Sequence, residues 1–330
     1  MVLSLGWSVV AVSFATSVLS TPLSTSSNYH RDDPLSVAPL LDAHHPHGTL
    51  NNSYIIMFKD GVSQTLTAQH FNFVQDAHKT SPLLGEESGV RHIYAGHFNG
   101  YAGRFSQEVI DQVRRMPEVD FVEKDQIVKA IDVDTQKSAP WVSLHRSDPL
   151  SGSRHLIALC SQGLARISHR KKLGFGSFNR YLYDDNGGEG IDVYVIDTGI
   201  NIHHAEFEGR ASWGKTIPQN DVDEDGNGHG THCAGTIASR KYGVAKKANV
   251  IAVKVLGSNG SGTMSDVVHG VEFALNSAQA KAKAANKAHK GSVANMSLGG
   301  GKSPSLDRAV NAAVKGGLHF AVAAGMSILS

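Results

Sequence analysis

The stretch Ile191-Asp-Val-Tyr-Val-Ile-Asp197 constrains this chain most. Its β-branched and aromatic run is of the kind buried on both faces of a parallel sheet, and it ends in a carboxylate before Thr198-Gly199. Three more short apolar runs follow: Val250 to Leu256, Val293 to Ser297 and Leu318 to Ala323. Helical spacing fits between them at Gly230 to Arg240, Met264 to Ala280 and Leu306 to Lys315. Alternation of this kind predicts an α/β unit with a doubly wound, mainly parallel sheet, whose functional residues gather at the carboxyl ends of the strands. Asp197 stands at one such end.

Downstream comes Asn227-Gly-His-Gly-Thr-His-Cys233. Acyl transfer by a serine needs a base for the hydroxyl proton and a carboxylate to orient that base, and an acid followed by a histidine is one chain order that meets the need. Asp-Thr-Gly is also the tripeptide of aspartic proteases. That chemistry requires two carboxylates sharing a site, and no second Asp-Thr-Gly or Asp-Ser-Gly occurs. A zinc site on His229, His232 and Cys233 lacks a further ligand nearby, so no metal and no cofactor is assigned. Asp221-Val-Asp-Glu-Asp-Gly226 opens like a calcium loop, but its twelfth position is His232 where a bidentate Glu is needed, and it reads as a solvated loop.

Gly163-Leu-Ala-Arg-Ile-Ser-His169, Asp197-Thr-Gly-Ile200, His229-Gly-Thr-His-Cys233, Gly260-Ser-Gly-Thr-Met-Ser265, Asn295-Met-Ser-Leu-Gly-Gly-Gly301 and Phe320-Ala-Val-Ala-Ala-Gly325 resemble the proteinase K branch of the subtilases, in particular its fungal vacuolar and secreted cerevisin-type members. The resemblance implies a serine endopeptidase in which Asp197 orients and His229 is the general base. It implies that Gly260, Ser261 and Gly262, with Ser297, Leu298 and Gly299, pair with the substrate backbone. Ala323, Ala324 and Gly325 would line the pocket for the side chain before the scissile bond. Cys233 would be a buried thiol beneath His229. The family's nucleophile segment, Gly-Thr-Ser-Met-Ala, is absent from the 330 residues, and Met326 stands where an oxyanion-binding Asn is expected, so the subtilisin-like unit reads as incomplete. Gly262-Thr-Met-Ser265 imitates the nucleophile motif with two residues exchanged, too early in the chain.

An N-terminal unit precedes this part. Ser53-Tyr-Ile-Ile-Met-Phe-Lys59, Gly100 to Phe105 and Val119 to Val128 carry strand residues. Val62 to Thr80 and Ser106 to Arg115 have helical spacing, the second opening on a serine N-cap. These form a small α/β open sandwich over 53–130, and Phe98-Asn-Gly-Tyr-Ala-Gly103 and Val119-Asp-Phe-Val-Glu123 resemble the inhibitory propeptide of subtilases. Residues 1–20, apolar and ending in Val18-Leu-Ser20, read as a signal peptide, and 21–52, rich in Ser, Pro and His, as a disordered lead-in. The peptidase part occupies 131–330.

Net charge is +1 and no basic run is present, which argues against a nucleic-acid partner; no later apolar segment is long enough to argue for a membrane. The partners implied are polypeptide substrates and the chain's own propeptide in cis, in a monomer of the secretory pathway, secreted or vacuolar. Two breaks interrupt the family pattern. Residues 142–162 separate Ala139-Pro-Trp141 from Gly163, and the pattern fails again after Gly325; both places can be encoded by splice signals, so a retained intron is expected at each. Of two cysteines, Cys160 falls in the first break, and no disulfide is expected.

Overall fold

The computed structural model describes residues 37–42, 45–83, 88–131, 164–174, 177, 181–284 and 288–323. The expected signal peptide, both suspected introns, Cys160, Ala324, Gly325 and Met326 lie outside the described residues.

The peptidase part is built on five parallel strands in the order β12-β10-β6-β8-β7. They are β6 (Ile191–Asp197), β7 (Ala211–Thr216), β8 (Asn249–Lys254), β10 (Gly291–Met296) and β12 (His319–Val322). Strand period 2 sends Val193 and Val195 to one face and Tyr194 and Ile196 to the other. Helix α3 (His229–Ala238) covers the first face, where Ala234 and Ala238 meet Val193, Val195, Val250 and Ala252. Helices α4 (Met264–Lys283) and α5 (Pro304–Lys315) cover the second, where Val267, Val268 and Val271 meet Tyr194, Ile196, Ile251 and Val253. Burial on both sides is why β6 and β8 read as unbroken apolar runs, whereas β12, equally apolar in sequence, is largely exposed; the fold class expected from the runs is the one found. Strand β7, with Trp213 its one large apolar residue, gave no such run.

The N-terminal unit has the sheet order β1-β5-β2-β4-β3, made of β1 (Leu40–Leu41), β2 (Thr49–Phe58), β3 (Gly89–Tyr94), β4 (Gly100–Arg104) and β5 (Val119–Ala130). Helices α1 (Gln64–Thr80) and α2 (Gln107–Val113) start where Ser63 and Ser106 accept from the amides of Leu66 and Val109. Tyr54, Ile56 and Phe58 pack with α1 and α2 in a core of their own, while Ile55 and Met57 point the other way into the core built around α4. The two units thus share one apolar interior.

Part of the expected disordered lead-in is ordered. Leu40 and Leu41 pair in parallel with Val122 and Glu123, Ala38 is fully buried and exchanges two hydrogen bonds with Arg114, and β2 begins at Thr49. The composition of 21–52 concealed Ala38-Pro-Leu-Leu41, apolar residues that cover an edge of β5.

Candidate active site

Strand β6 delivers Asp197 fully buried at its carboxyl end, and α3 begins at His229. The two segments meet because glycine allows it. Gly199 has φ +112, and a Cβ on Gly230 would lie 2.1 Å from the carbonyl of Gly199. His229 Nδ1 donates to Asp197 Oδ1 at 2.7 Å, and the same oxygen accepts from the Thr198 amide at 2.7 Å. The imidazole is thereby held in one orientation with Nε2 turned outward. Nε2 stands 3.2 Å from the backbone carbonyl oxygen of Ile131, the residue following β5.

The last residues of β5 lie between two edges of the peptidase part. On one side β9 (Ser261–Thr263) pairs antiparallel, with Lys129 opposite Ser261 and Val128 opposite Gly262; Ala130 also donates its amide to the Gly260 carbonyl at 2.8 Å. On the other side β11 (Leu298–Gly299) pairs antiparallel, with Leu298 opposite Ala130 and Gly299 opposite Lys129, and Ile131 donates its amide to the Ser297 carbonyl at 3.2 Å. The six residues expected to pair with a substrate backbone are therefore brought together around one extended segment, whose final carbonyl faces His229. Ala323 sits just past β12, its amide donating to Met296 at 3.2 Å.

Cys233 Sγ lies 3.9 Å from both ring nitrogens of His229 and is half-buried. Burial, and next to it the charge of Asp197, push its thiol up to about 11, so it is protonated at neutral pH. Asp197, His229 and Cys233 form the one group among the described residues able to surround a metal, with ligand atoms within 4.8 Å of one another. His232, considered with them in sequence, is not in that group. Ser265, the serine of the imitation motif, is buried and donates to Asp125 Oδ2 at 2.6 Å, facing away from any nucleophilic role.

Sequence reasoning missed four residues of this region. Glu123 and Asp125 lie two apart on β5 and so share a face. Glu123 accepts the Ser305 amide at the start of α5 (2.9 Å), and Asp125 accepts the Ser265 amide at the start of α4 (3.1 Å). Each carboxylate meets a helix N-terminus, where orphan amides and the dipole favour it. Burial nonetheless raises both carboxyls above their ordinary values. Two acids inside a strand of buried residues were the available signal. Ile131 carried none, because its place depends on register with distant segments. Asp225, read as part of a solvated loop, is half-buried and accepts hydrogen bonds from Thr198, Gly228 and Thr231.

Residues 188–327 match the Subtilase family, and residues 53–130 match Peptidase inhibitor I9. The chain is 50% identical to the subtilisin-like serine protease Cla h 9.0101 of Davidiella tassiana, over 96% of this chain and 60% of that protein. It is 56% identical to the subtilisin-like serine protease Pen c 2 of Penicillium citrinum, over 83% of this chain and 60% of that protein. Against cerevisin of Saccharomyces cerevisiae the identity is 54%, over 83% of this chain and 43% of that protein. With an I9 segment ahead of a subtilase segment that carries the contacting Asp197–His229 pair, the chain is similar to the subtilisin-like serine proteases. It spans 60% or less of the length of these relatives.

Proposed function

We propose that this chain is the precursor portion of a secretory-pathway subtilisin-like serine endopeptidase, its N-terminal unit occupying the substrate cleft of its own peptidase part. The observation that carries the reading is the Ile131 carbonyl at His229 Nε2, on a segment that pairs with both cleft edges. An extended peptide added between two strands is bound through its backbone, so the cleft accepts many sequences, and its last carbonyl is where a scissile bond lies. Ile131 then supplies the acyl side of the bond cut on maturation.

In the whole enzyme a serine at this carbonyl gives its proton to His229 Nε2 as the hydroxyl oxygen attacks. Asp197 fixes the tautomer that leaves Nε2 free to accept, and stabilises the imidazolium that results. His229 returns the proton to the leaving amine. Gly260, Ser261 and Gly262 on one side and Ser297, Leu298 and Gly299 on the other align the substrate; Ala323, Ala324 and Gly325 belong to the pocket for the residue before the cut. The partners are polypeptide substrates and the propeptide in cis, the protein acts as a monomer, and its place is outside the cell or in the vacuole. No helix among the described residues is long and apolar enough to cross a membrane.

A second reading is an inactive product whose N-terminal unit inhibits or assists the folding of a sister protease. It draws on the same seated segment.

Assay of two proteins separates these readings. The chain as written is expected to show no peptidase activity, since removing the serine from subtilisin costs about 10⁶ in turnover. A chimera extended with the matching C-terminal part of Pen c 2 is expected to cleave peptides, and to lose that activity on His229→Ala. An inactive chimera that folds would refute the endopeptidase reading. Cleavage by the unextended chain that is abolished by His229→Ala would show that a serine already present serves as nucleophile.

A further inference from the structure

The joint between Asp197 and His229 passes through a second carboxylate, that of Asp225. Helix α3 begins after Gly228 in the left-handed region (φ +97) with no side-chain cap of its own, yet its first-turn amides are satisfied. His229 N donates to Asn227 Oδ1 (3.2 Å), Gly230 N to Thr198 Oγ1 (2.9 Å) and Thr231 N to Asp225 Oδ2 (2.9 Å). Asp225 ties these together. Its Oδ1 accepts from Thr198 Oγ1 (2.8 Å), Gly228 N (2.8 Å) and Asn227 N (3.2 Å); its Oδ2 accepts Thr231 Oγ1 (2.5 Å) as well as the Thr231 amide. Thr231 Oγ1 in turn accepts the Asn201 amide at 2.8 Å.

Thr198 is the neighbour of Asp197, and Gly228 is the neighbour of His229. One carboxylate thus grips the residue after the acid and the residue before the base, across loops that share no strand ladder or other regular pairing. Five donors converge on it, and charge-assisted bonds of this kind are the strong ones. Burial alone raises the Asp225 carboxyl, but the bonds from Thr231, Gly228 and Thr198 outweigh it and hold the carboxyl below its ordinary value. The charged form is the one the loops are built around.

We propose that Asp225 is a positioning residue for the Asp197–His229 pair, setting the 2.7 Å contact between them by clamping Thr198 to the start of α3. The proposal deepens the serine-peptidase reading of this site and rests on it for its functional meaning. It touches no substrate atom. A helix cap that merely supported the fold would affect stability without changing the hydrogen bond between acid and base, and this difference makes the proposal testable.

The test is proton NMR of the full chain with ¹⁵N-labelled histidine. His229 Nδ1–H shared with a buried carboxylate gives a downfield, exchange-protected resonance, assigned by its loss in His229→Gln. Asp225→Ala is expected to abolish it or speed its solvent exchange by about tenfold or more, and Asp225→Asn, which keeps one acceptor oxygen, to give an intermediate effect. Ser303→Ala, removing the N-cap of the distant helix α5, is the structural control and is expected to leave the resonance in place. If Asp225→Ala does not fold, Thr231→Val, which removes one donor alone, is read instead, and a shifted or faster-exchanging resonance supports the clamp. An unchanged resonance in whichever variant folds overturns it, as does absence of the resonance from the parent chain. None of these readouts needs the chain to cleave a peptide, so an inactive chimera with an intact clamp would refute the proposed function and leave the positioning role standing.

Discussion

Residues 119–126 and residues 127–131 are consecutive along one strand and held by different forces. In the first stretch almost every side chain is buried: Val119 and Val122 in the core of the N-terminal unit, Phe121 in the shared core, and Glu123 and Asp125 against the starts of α5 and α4. In the second only Val128 is fully buried, Lys129 is exposed, and the backbone amides of Ala130 and Ile131 make the contacts. The first stretch specifies a docked position through particular residues. The second reads like any peptide laid in a cleft that recognises main chain.

Truncating the anchoring stretch has the largest expected effect. Phe121→Ala empties space in the shared core and removes the ring beneath the Arg308 guanidinium, 4.9 Å from its centroid. A loss of roughly 3–5 kcal/mol in urea unfolding of the chain is expected. Replacing Glu123 and Asp125 together by alanine strips a carboxylate from two helix N-termini and should cost about 2–4 kcal/mol, treating each as a partly buried cap. A double variant as stable as the parent would mean that the two acids only fill space.

The docked face also carries a pH dependence with a definite sign. His269 of α4 lies with Nδ1 2.8 Å from Nδ1 of His92 on β3, whose Nε2 meets Asp266 at 2.7 Å, and Lys215 stands 3.4 Å from His269 Nε2. Burial first, then the neighbouring His92 and Lys215, lower His269 from 6.5 to about 4. A histidine so lowered is neutral in the folded chain and protonated more readily when released. Its contribution is therefore complete above pH 6.5 and is lost as the pH falls toward 4, by about 2 kcal/mol after allowing for its partial exposure. Glu123, Asp125 and Glu272 are raised and act with the opposite sign, so the measurement is a difference. Urea midpoints of the parent should fall relative to His269→Gln between pH 6.5 and 4, and parallel curves would remove His269 from the account.

The tail gives the smallest effects and the sharpest contrast between main chain and side chain. Ala130→Pro deletes the amide donated to Gly260 and should cost about 1–2 kcal/mol, whereas Lys129→Ala, one residue earlier and exposed, should stay within about 0.5 kcal/mol of the parent. Equal effects of the two changes would contradict a backbone-held tail.

The apolar runs at β6, β8, β10 and β12 and the Asp197 and His229 motifs were legible in sequence, because each is local: the apolar residues of a sheet strand are neighbours in the chain, and Asp-Thr-Gly and His-Gly-Thr-His are short. Ser63 and Ser106 marked helix starts for the same reason. What could not be read was set by partners far along the chain. Leu40 and Leu41 look like part of a polar leader until β5 is beside them. Asp225 resembles a solvated acid until Thr198 and Thr231 converge on it. The position of Ile131 follows only from the register of β5 against β9 and β11, which no residue in the tail announces.

Amide hydrogen exchange of the intact chain, resolved at Ala130 and Ile131, tests the seated tail most directly. These amides are bonded to the Gly260 and Ser297 carbonyls, so both should exchange at least about 10²-fold more slowly than an unstructured peptide, and in Ala130→Pro the remaining protection at Ile131 should fall. Exchange of Ala130 and Ile131 at unstructured rates, while Val122 and Val253 remain protected, would show that the tail does not occupy the cleft and that the Ile131 carbonyl is not held at His229.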